Sequence, residues 1–129
     1  MITPDTSAVL DIHVRVIGTI QPFDMNLLDS AVHRPFQTFS GHEFYPDFLE
    51  KAAAILHGII CNHAFLDGNK RTAYAVASEM IEQHGYGLDT TDVERVVGFL
   101  VEVAESLHPV EEVRIFLKEI LILHEGNEL

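Results

Sequence analysis

Two segments with the 3.6-residue apolar periodicity of buried helices, residues 47–62 and 69–84, enclose a short polar stretch. In the first segment, apolar side chains repeat at Phe48, Ala52, Ile55 and Ile59. Residues 63–72 between the helices have the sequence HAFLDGNKRT, which combines an imidazole, a carboxylate, a glycine and two adjacent cations. A solvated connection between core helices has no structural need for that combination. The pattern therefore predicts a functional loop held by a helical scaffold.

Apolar spacing and helix-end signals predict four further helices. Their expected bounds are residues 4–17, 25–32, 91–107 and 109–124. The first is expected to start with Thr3 as its cap and Pro4 at its first position. The third of these is expected to start with a capping box from Thr91 to Glu94. The predicted fold is all-α, a single domain over residues 1–129 with about six helices, which is long enough to bury a core.

Residues 34–46 depart from the helical pattern, since they contain two prolines, a glycine and four aromatic side chains. Residues 37–39 favour a β-strand, and Ser40 and Gly41 after them favour a turn. This segment predicts a flap or short hairpin around residues 36–45, near the functional loop. The alternative is an ordinary connection whose aromatic side chains lie in the core.

The net charge of −12 disfavours nucleic acid and anionic membranes as direct partners, because their phosphates are repelled by an acidic chain. The sequence has no apolar run of membrane-spanning length and no signal-peptide pattern, and its single cysteine fits a reducing compartment, so we expect a cytoplasmic protein. Cys61 lies in an apolar run and is interpreted as a small buried side chain, with a reactive thiol as the alternative. His13 and His57 lie beside apolar helix faces and are interpreted as packing histidines.

The first half of the loop offers a proton acceptor and a metal ligand. His63 follows the first core helix, and its imidazole accepts a proton near neutral pH. Asp67 supplies hard carboxylate oxygens of the kind that bind Mg²⁺ together with substrate phosphates. Phe65 is suited to anchor the loop, so that His63 is held in place. Taken singly, His63 is also compatible with a structural role and Asp67 with a helix cap.

The second half of the loop is suited to bind phosphate. Gly68 permits backbone conformations closed to other residues, and a helix begins at about Asn69. The unpaired N–H groups and the dipole of such a helix start attract an anion. Lys70 and Arg71 add charge and directed hydrogen bonds, although a chance pair of surface cations is the alternative. The base, metal ligand, anion cradle and cations together match the needs of phosphoryl-type transfer.

The sequence HAFLDGNKRTA at residues 63–73 resembles the signature of the Fic/Doc proteins, in the Doc branch. The pattern of that branch is H-x-F-x-D-(A/G)-N-K-R-T-A, and every specified position is met. The resemblance covers most of the chain from Leu27 onward. Outside the loop it rests on residues 27–31, 34–39, 45–47 and 84–86.

This resemblance implies the α-helical Fic/Doc fold and a toxin that is paired with a cognate antitoxin protein. It implies a kinase that uses ATP and Mg²⁺ to phosphorylate a threonine hydroxyl on a translation factor such as elongation factor Tu. Carried onto this chain, it implies that His63 is the general base, Asp67 holds Mg²⁺ and Phe65 anchors the loop. The implied nucleotide-binding residues are Gly68 and Asn69, which form the cradle, and Lys70 and Arg71, which also neutralise the phosphates during catalysis.

Two positions differ from the Fic relatives that transfer AMP, whose wider pattern is H-P-F-x-(D/E)-G-N-G-R-x-x-R. Lys70 stands where those relatives have a glycine, and Tyr74 stands where they have the final arginine. Both differences favour transfer of phosphate, whereas Gly68 is shared with the AMP-transferring branch. Many Fic proteins also carry an inhibitory motif, (S/T)-x-x-x-E-(G/N). Its nearest counterpart, residues 121–126, lacks the hydroxyl residue, so inhibition is expected from a separate antitoxin chain.

Three alternatives remain open from the sequence. AMP transfer to a protein hydroxyl would add AMP, and not phosphate, to the target. A non-catalytic binding module on the same fold would act without His63. A metal-dependent hydrolase would use His57, His63 and Asp67, but these lack a tight ligand spacing such as H-E-x-x-H.

Overall fold

A computed structural model describes residues 4–123, which contain six α-helices and two small antiparallel strand pairs. The helices are α1 (Thr6–Ile17), α2 (Met25–His33), α3 (Phe48–Asn62), α4 (Asn69–Glu82), α5 (Val93–Ala104) and α6 (Val110–Glu119). The strands are β1 (Thr38–Phe39), β2 (His42–Glu43), β3 (Tyr86–Leu88) and β4 (Leu121–Leu123). The prediction of an all-α fold with about six helices and a hairpin near residues 36–45 is confirmed. None of the helices in this part of the chain is long and apolar enough to cross a membrane.

Helix α3 is the centre of the fold. Ten of its fifteen residues are buried, and it packs against α2, α4 and α6. Asp47 caps the start of this helix, as predicted, since its carboxylate accepts a hydrogen bond of 2.7 Å from the Glu50 N–H. Its close packing against α4 fixes both ends of the loop that joins them.

The hairpin formed by β1 and β2 is fastened to α3 by a buried lysine. Lys51 donates from Nζ to Glu43 Oε1 at 2.8 Å and to the Tyr45 carbonyl oxygen. Such partners are required because a buried ammonium group without them is costly. Phe39 and Phe44 are 71% and 59% exposed, so the alternative that placed the aromatic side chains of this segment in the core is wrong for these two. Phe36, by contrast, is half-buried and packs against the core.

Helix α1 begins later than predicted. It starts at Thr6, and the Asp5 carboxylate caps it by accepting a hydrogen bond of 2.8 Å from the Ala8 N–H. The predicted start at Pro4 is therefore wrong, and Thr3 lies outside the described residues. An aspartate one position before the first turn provides the cap that the sequence pattern had assigned to the threonine.

Helix α5 also begins one residue after an aspartate. Asp92 accepts a hydrogen bond of 3.1 Å from the Arg95 N–H, so the predicted cap at Thr91 is wrong. The Thr91 hydroxyl instead donates to Asp89 Oδ1 at 2.7 Å and is therefore engaged elsewhere. The helix ends at Ala104, three residues before the predicted end.

The end of the described chain is a strand where a helix was predicted. Helix α6 ends at Glu119, and β4 pairs antiparallel with β3. The run from Ile120 to Leu123 is apolar at every position, so its periodicity does not distinguish helix from strand. His124, the predicted helix end, lies outside the described residues, as does the second half of the counterpart of the inhibitory motif.

Cys61, which was predicted to be a small buried side chain, is half-buried. Its Sγ lies 3.5 Å from the Val103 carbonyl oxygen and 3.6 Å from His57 Nε2. Burial raises the pKa of the Cys61 thiol, which lowers the thiolate fraction at neutral pH. The reactive-thiol alternative is therefore disfavoured, and His57, also half-buried, is a packing neighbour of this thiol.

His108 connects the end of α5 to the start of α6. Its Nε2 lies 2.7 Å from Glu102 Oε1 and its Nδ1 lies 2.6 Å from Glu112 Oε1. The hydrogen bonds to Glu102 and then Glu112 raise the pKa of His108 above its ordinary value. Both nitrogens donate only when the imidazole is protonated, so the link is strongest in the charged form.

Substituting His108→Gln is expected to destabilise the protein at acidic pH and to have little effect at alkaline pH. The pKa is raised on folding, so the stabilisation is complete below the unfolded-state value of 6.5 and is lost as pH rises through the folded-state value. Urea unfolding at about pH 5.5 and at about pH 9 measures the difference. A difference that is equal at both pH values would contradict this assignment.

Candidate active site

The loop leaves α3 through a left-handed turn at His63, where φ is 50° and ψ is 48°. Positive φ is uncommon for residues other than glycine, so this backbone conformation is held by its surroundings. The His63 side chain is exposed, whereas Ala64 and Phe65 are each 2% exposed. The turn therefore directs the imidazole to solvent and the Phe65 ring into the core.

Phe65 is the anchor of the loop. Its ring stacks on the His13 ring with 3.8 Å between centroids and an angle of 6° between the planes. The loop is therefore packed, through Phe65, against the face of α1 that carries His13. Stacked rings of this kind contribute beyond the area they bury.

A second segment of chain pairs with the loop backbone. The Asp24 N–H donates to the Ala64 carbonyl at 2.8 Å, and the Leu66 N–H donates to the Pro22 carbonyl at 2.8 Å. These two bonds form an isolated antiparallel bridge across Phe23 and Phe65. The linker between α1 and α2 is therefore a structural support of the loop.

His13 is buried, and its predicted role as a packing histidine is confirmed. The Gln21 N–H donates to His13 Nε2 at 3.1 Å, so Nδ1 carries the proton and donates to Thr72 Oγ1 at 2.8 Å. Burial lowers the pKa of His13, and this outweighs the opposing effect of the Asp67 carboxylate. The ring is therefore a neutral imidazole that joins α1 to α4 behind the loop.

Asn69, the first residue of α4, closes the loop with its side chain. Its Oδ1 accepts from the Phe65 N–H at 3.0 Å, and its Nδ2 donates to the Phe65 carbonyl at 2.8 Å. The side-chain amide is therefore engaged within the protein. Only the backbone N–H of Asn69 is left for the cradle role implied by the family resemblance.

Asn69→Ala is expected to lower the free energy of unfolding by about 1–3 kcal/mol, because it leaves both polar groups of the Phe65 backbone without a partner. Urea unfolding provides the measurement. Asn62→Ala is the matched control, since the Asn62 amide makes a single exposed hydrogen bond of 3.1 Å to the Leu27 carbonyl. Equal stabilities for the two variants would show that the pair of bonds does not hold the loop.

Gly68 precedes α4 with a φ of 84°, in the left-handed region. A Cβ at this position would lie 2.7 Å from Ile17 Cδ1, so a larger residue here would require the Ile17 side chain to shift. Within the described chain, no side chain caps the start of α4. The N–H groups of its first turn are therefore available to an anion, reinforced by the helix dipole.

The predicted residues from Asp67 to Arg71 lie together around this helix start. They border a cavity of about 170 Å³, which Ile17 closes on the α1 side. Asp67, Lys70 and Arg71 are exposed. His63 does not line this cavity; it borders a neighbouring, shallower one of about 470 Å³. The structure thus brings together the residues that were predicted to bind an anion, whereas His63 borders a different cavity.

The donor set fits a metal ion that is bound jointly with phosphate. Across residues 4–123, no group of three or more His, Cys, Asp or Glu side chains is arranged to hold a metal by itself. Mg²⁺ commonly keeps several waters and binds through one or two carboxylates plus substrate phosphates. Asp67, an exposed carboxylate beside the helix start, can supply the protein's part of that coordination.

Sequence reasoning missed the supports behind the loop. His13 was recognised as a packing residue, but its partner Thr72 lies 59 positions away and gave no signal of the contact. The bridge from the linker involves single residues, and a pairing this short leaves no β pattern in the sequence. Ile17, which closes the cavity, appeared only as the last apolar residue of the first helix.

This chain matches the sequence model of a protein family and the sequence of a known protein. The sequence model of the Fic/DOC family matches residues 3–81, which is more than half of the chain. That span contains the whole loop. Toxin Doc of Mycolicibacterium smegmatis is 43% identical over 88 residues, which make up 67% of this chain and 68% of that protein.

Proposed function

We propose that this chain, which belongs to the Fic/Doc family, is the toxin of a toxin–antitoxin pair and a protein kinase dependent on ATP and Mg²⁺. The relative named Toxin Doc supports the role as a toxin. The observation that carries the kinase proposal is a helix start bordered by one carboxylate and two cations, preceded by a short loop that begins with an exposed imidazole. The proposed acceptor is a threonine hydroxyl on a translation factor such as elongation factor Tu. The proposed location is the cytoplasm.

In this proposal His63 accepts the proton of the acceptor hydroxyl on an imidazole nitrogen. The acceptor oxygen then forms a bond to the terminal phosphorus of ATP, and the bond between that phosphorus and ADP breaks. The N–H groups at the start of α4, with Lys70 and Arg71, stabilise the negative charge on the phosphate oxygens. Asp67 would hold Mg²⁺, which when bound neutralises charge on the transferred group.

The surroundings of Tyr74 support phosphate transfer over AMP transfer. An uncharged side chain occupies this position of α4. Its hydroxyl lies 2.7 Å from Thr90 Oγ1, and the residue is half-buried. AMP transfer remains the second candidate, because Gly68 is common to both branches. Lys70, exposed at the edge of the cavity, adds a charge that the AMP-transferring pattern lacks.

Expression of the protein alone is expected to arrest growth of a bacterial host. Co-expression of its cognate antitoxin is expected to restore growth, because the antitoxin is proposed to inhibit the toxin. The measurement is the growth rate after induction, with recovery of soluble, folded protein as the control. Normal growth in the presence of abundant folded protein would contradict the toxin role.

A further inference from the structure

One buried side chain, His13 of α1, contacts both halves of the loop from behind. Its ring stacks on the Phe65 ring with 3.8 Å between centroids, and Phe65 comes two residues after His63. Its Nδ1–H donates to Thr72 Oγ1, in the first turn of α4, at 2.8 Å. The contact that holds the imidazole end of the loop and the contact that holds the helix start therefore meet on a single ring.

The His13 ring is itself held in one orientation. It is 0% exposed, and its Nε2 accepts a hydrogen bond of 3.1 Å from the Gln21 N–H of the linker. A Cβ on Gly68 would lie 3.4 Å from its Cε1, so the ring also packs close to the residue that precedes α4. Thr72 is likewise 0% exposed, and a buried pair of polar groups is costly to separate. The ring is therefore a rigid spacer between α1, the linker and α4.

Phosphate transfer requires a fixed distance and orientation between the base and the site that binds the phosphate, because both act on the same acceptor oxygen. A misplacement of about 1 Å can cost about a hundredfold in rate. The His63 side chain is exposed and borders a different cavity from the start of α4. Its placement relative to that helix start therefore depends on the residues that hold the loop from behind.

We propose that His13 is a positioning residue for phosphate transfer, which acts through Phe65 on His63 and through Thr72 on the start of α4. This assignment rests on the proposed function and adds to it a role for α1. The residues that border the helix start, from Asp67 to Arg71, do not include His13. Loss of its polar contacts should therefore lower the rate of transfer while the affinity for MgATP is kept.

Two substitutions separate the hydrogen bond of Thr72 from its packing. Valine has nearly the shape of threonine but no hydroxyl, so Thr72→Val leaves the Nδ1–H of His13 without an acceptor. Serine lacks the methyl group but keeps the hydroxyl, so Thr72→Ser keeps the hydrogen bond. A third variant, His13→Phe, keeps a ring against Phe65 and removes both hydrogen bonds of the imidazole.

The measurement is the initial rate of γ-label transfer from ATP to protein in a cytosolic extract, over a range of MgATP concentrations. Thr72→Val and His13→Phe are expected to lower the maximal rate by about ten- to a hundredfold, with the half-saturating MgATP concentration changed by less than about threefold. Thr72→Ser should stay within about threefold of the wild-type maximal rate. Thermal unfolding shows whether each variant is folded at the assay temperature.

Val9→Ala is the control for lost packing, because Val9 is 0% exposed and lies one turn before His13 on the same face of α1. It should lower stability and keep the maximal rate. A folded Thr72→Val protein that is faster than Thr72→Ser would assign the pair to packing alone and overturn the proposal, as would a wild-type maximal rate for His13→Phe. Absence of label transfer by the wild-type protein would instead overturn the proposed function.

Discussion

Replacing His63 is expected to lower the rate of phosphate transfer by about two to four orders of magnitude, the usual contribution of a general base. The imidazole is exposed at the end of α3, and its removal takes away the group that accepts the hydroxyl proton. His63→Asn is the preferred variant, because asparagine tolerates the left-handed backbone that His63 adopts at φ 50°. The measurement is the initial rate of label transfer from ATP to the acceptor.

The matched control is His33→Asn, an exposed histidine on α2. It should transfer phosphate at the wild-type rate. Thermal unfolding of both variants shows whether the fold is intact. A His63→Asn protein that is folded and transfers phosphate at the wild-type rate would exclude His63 as the base, and unchanged toxicity would favour the binding module.

Phe65→Ala is expected to lower the free energy of unfolding by about 3–5 kcal/mol, in the range for loss of a buried aromatic side chain. The Phe65 ring is 2% exposed and stacks on His13, so its removal leaves a cavity between the loop and α1. This is a large fraction of the stability of a small domain. Urea unfolding measures the change.

Phe39→Ala provides the control, because that ring is 71% exposed on the hairpin. Its effect should stay within about 0.5 kcal/mol of zero. Similar losses for the two variants would mean that the loop is not anchored through Phe65. A folded Phe65→Ala protein should also lose activity, since His63 is held only two residues away.

The scaffold of the site was predictable because its signals are local. The Asp47 cap and the apolar repeat of α3 specify where that helix begins, and the polar loop marks where it ends. The chemistry of the loop side chains, with an imidazole, a carboxylate and two cations, is also evident from the sequence alone. Helix ends were less predictable where two cap residues compete, as at Thr91 and Asp92.

The internal supports of the site were not predictable, since they depend on contacts between distant segments. The family resemblance implies that Asn69 belongs to the cradle, but it does not indicate that the Asn69 side chain bonds to the Phe65 backbone, as the structure shows. The direction of the Phe65 side chain depends on the left-handed turn at His63. A histidine in the sequence does not indicate such a turn. The strand β4 depends on pairing with β3, more than thirty residues earlier in the chain.

Transfer of label from ATP tests the central claim most directly. The purified protein is incubated with Mg²⁺ and a cytosolic extract, and the ATP is labelled at either the α or the γ phosphate. We expect that a protein in the extract acquires the γ label, that it does not acquire the α label, and that the His63→Asn protein transfers neither. Transfer of the α label to a protein would contradict the kinase proposal and establish AMP transfer.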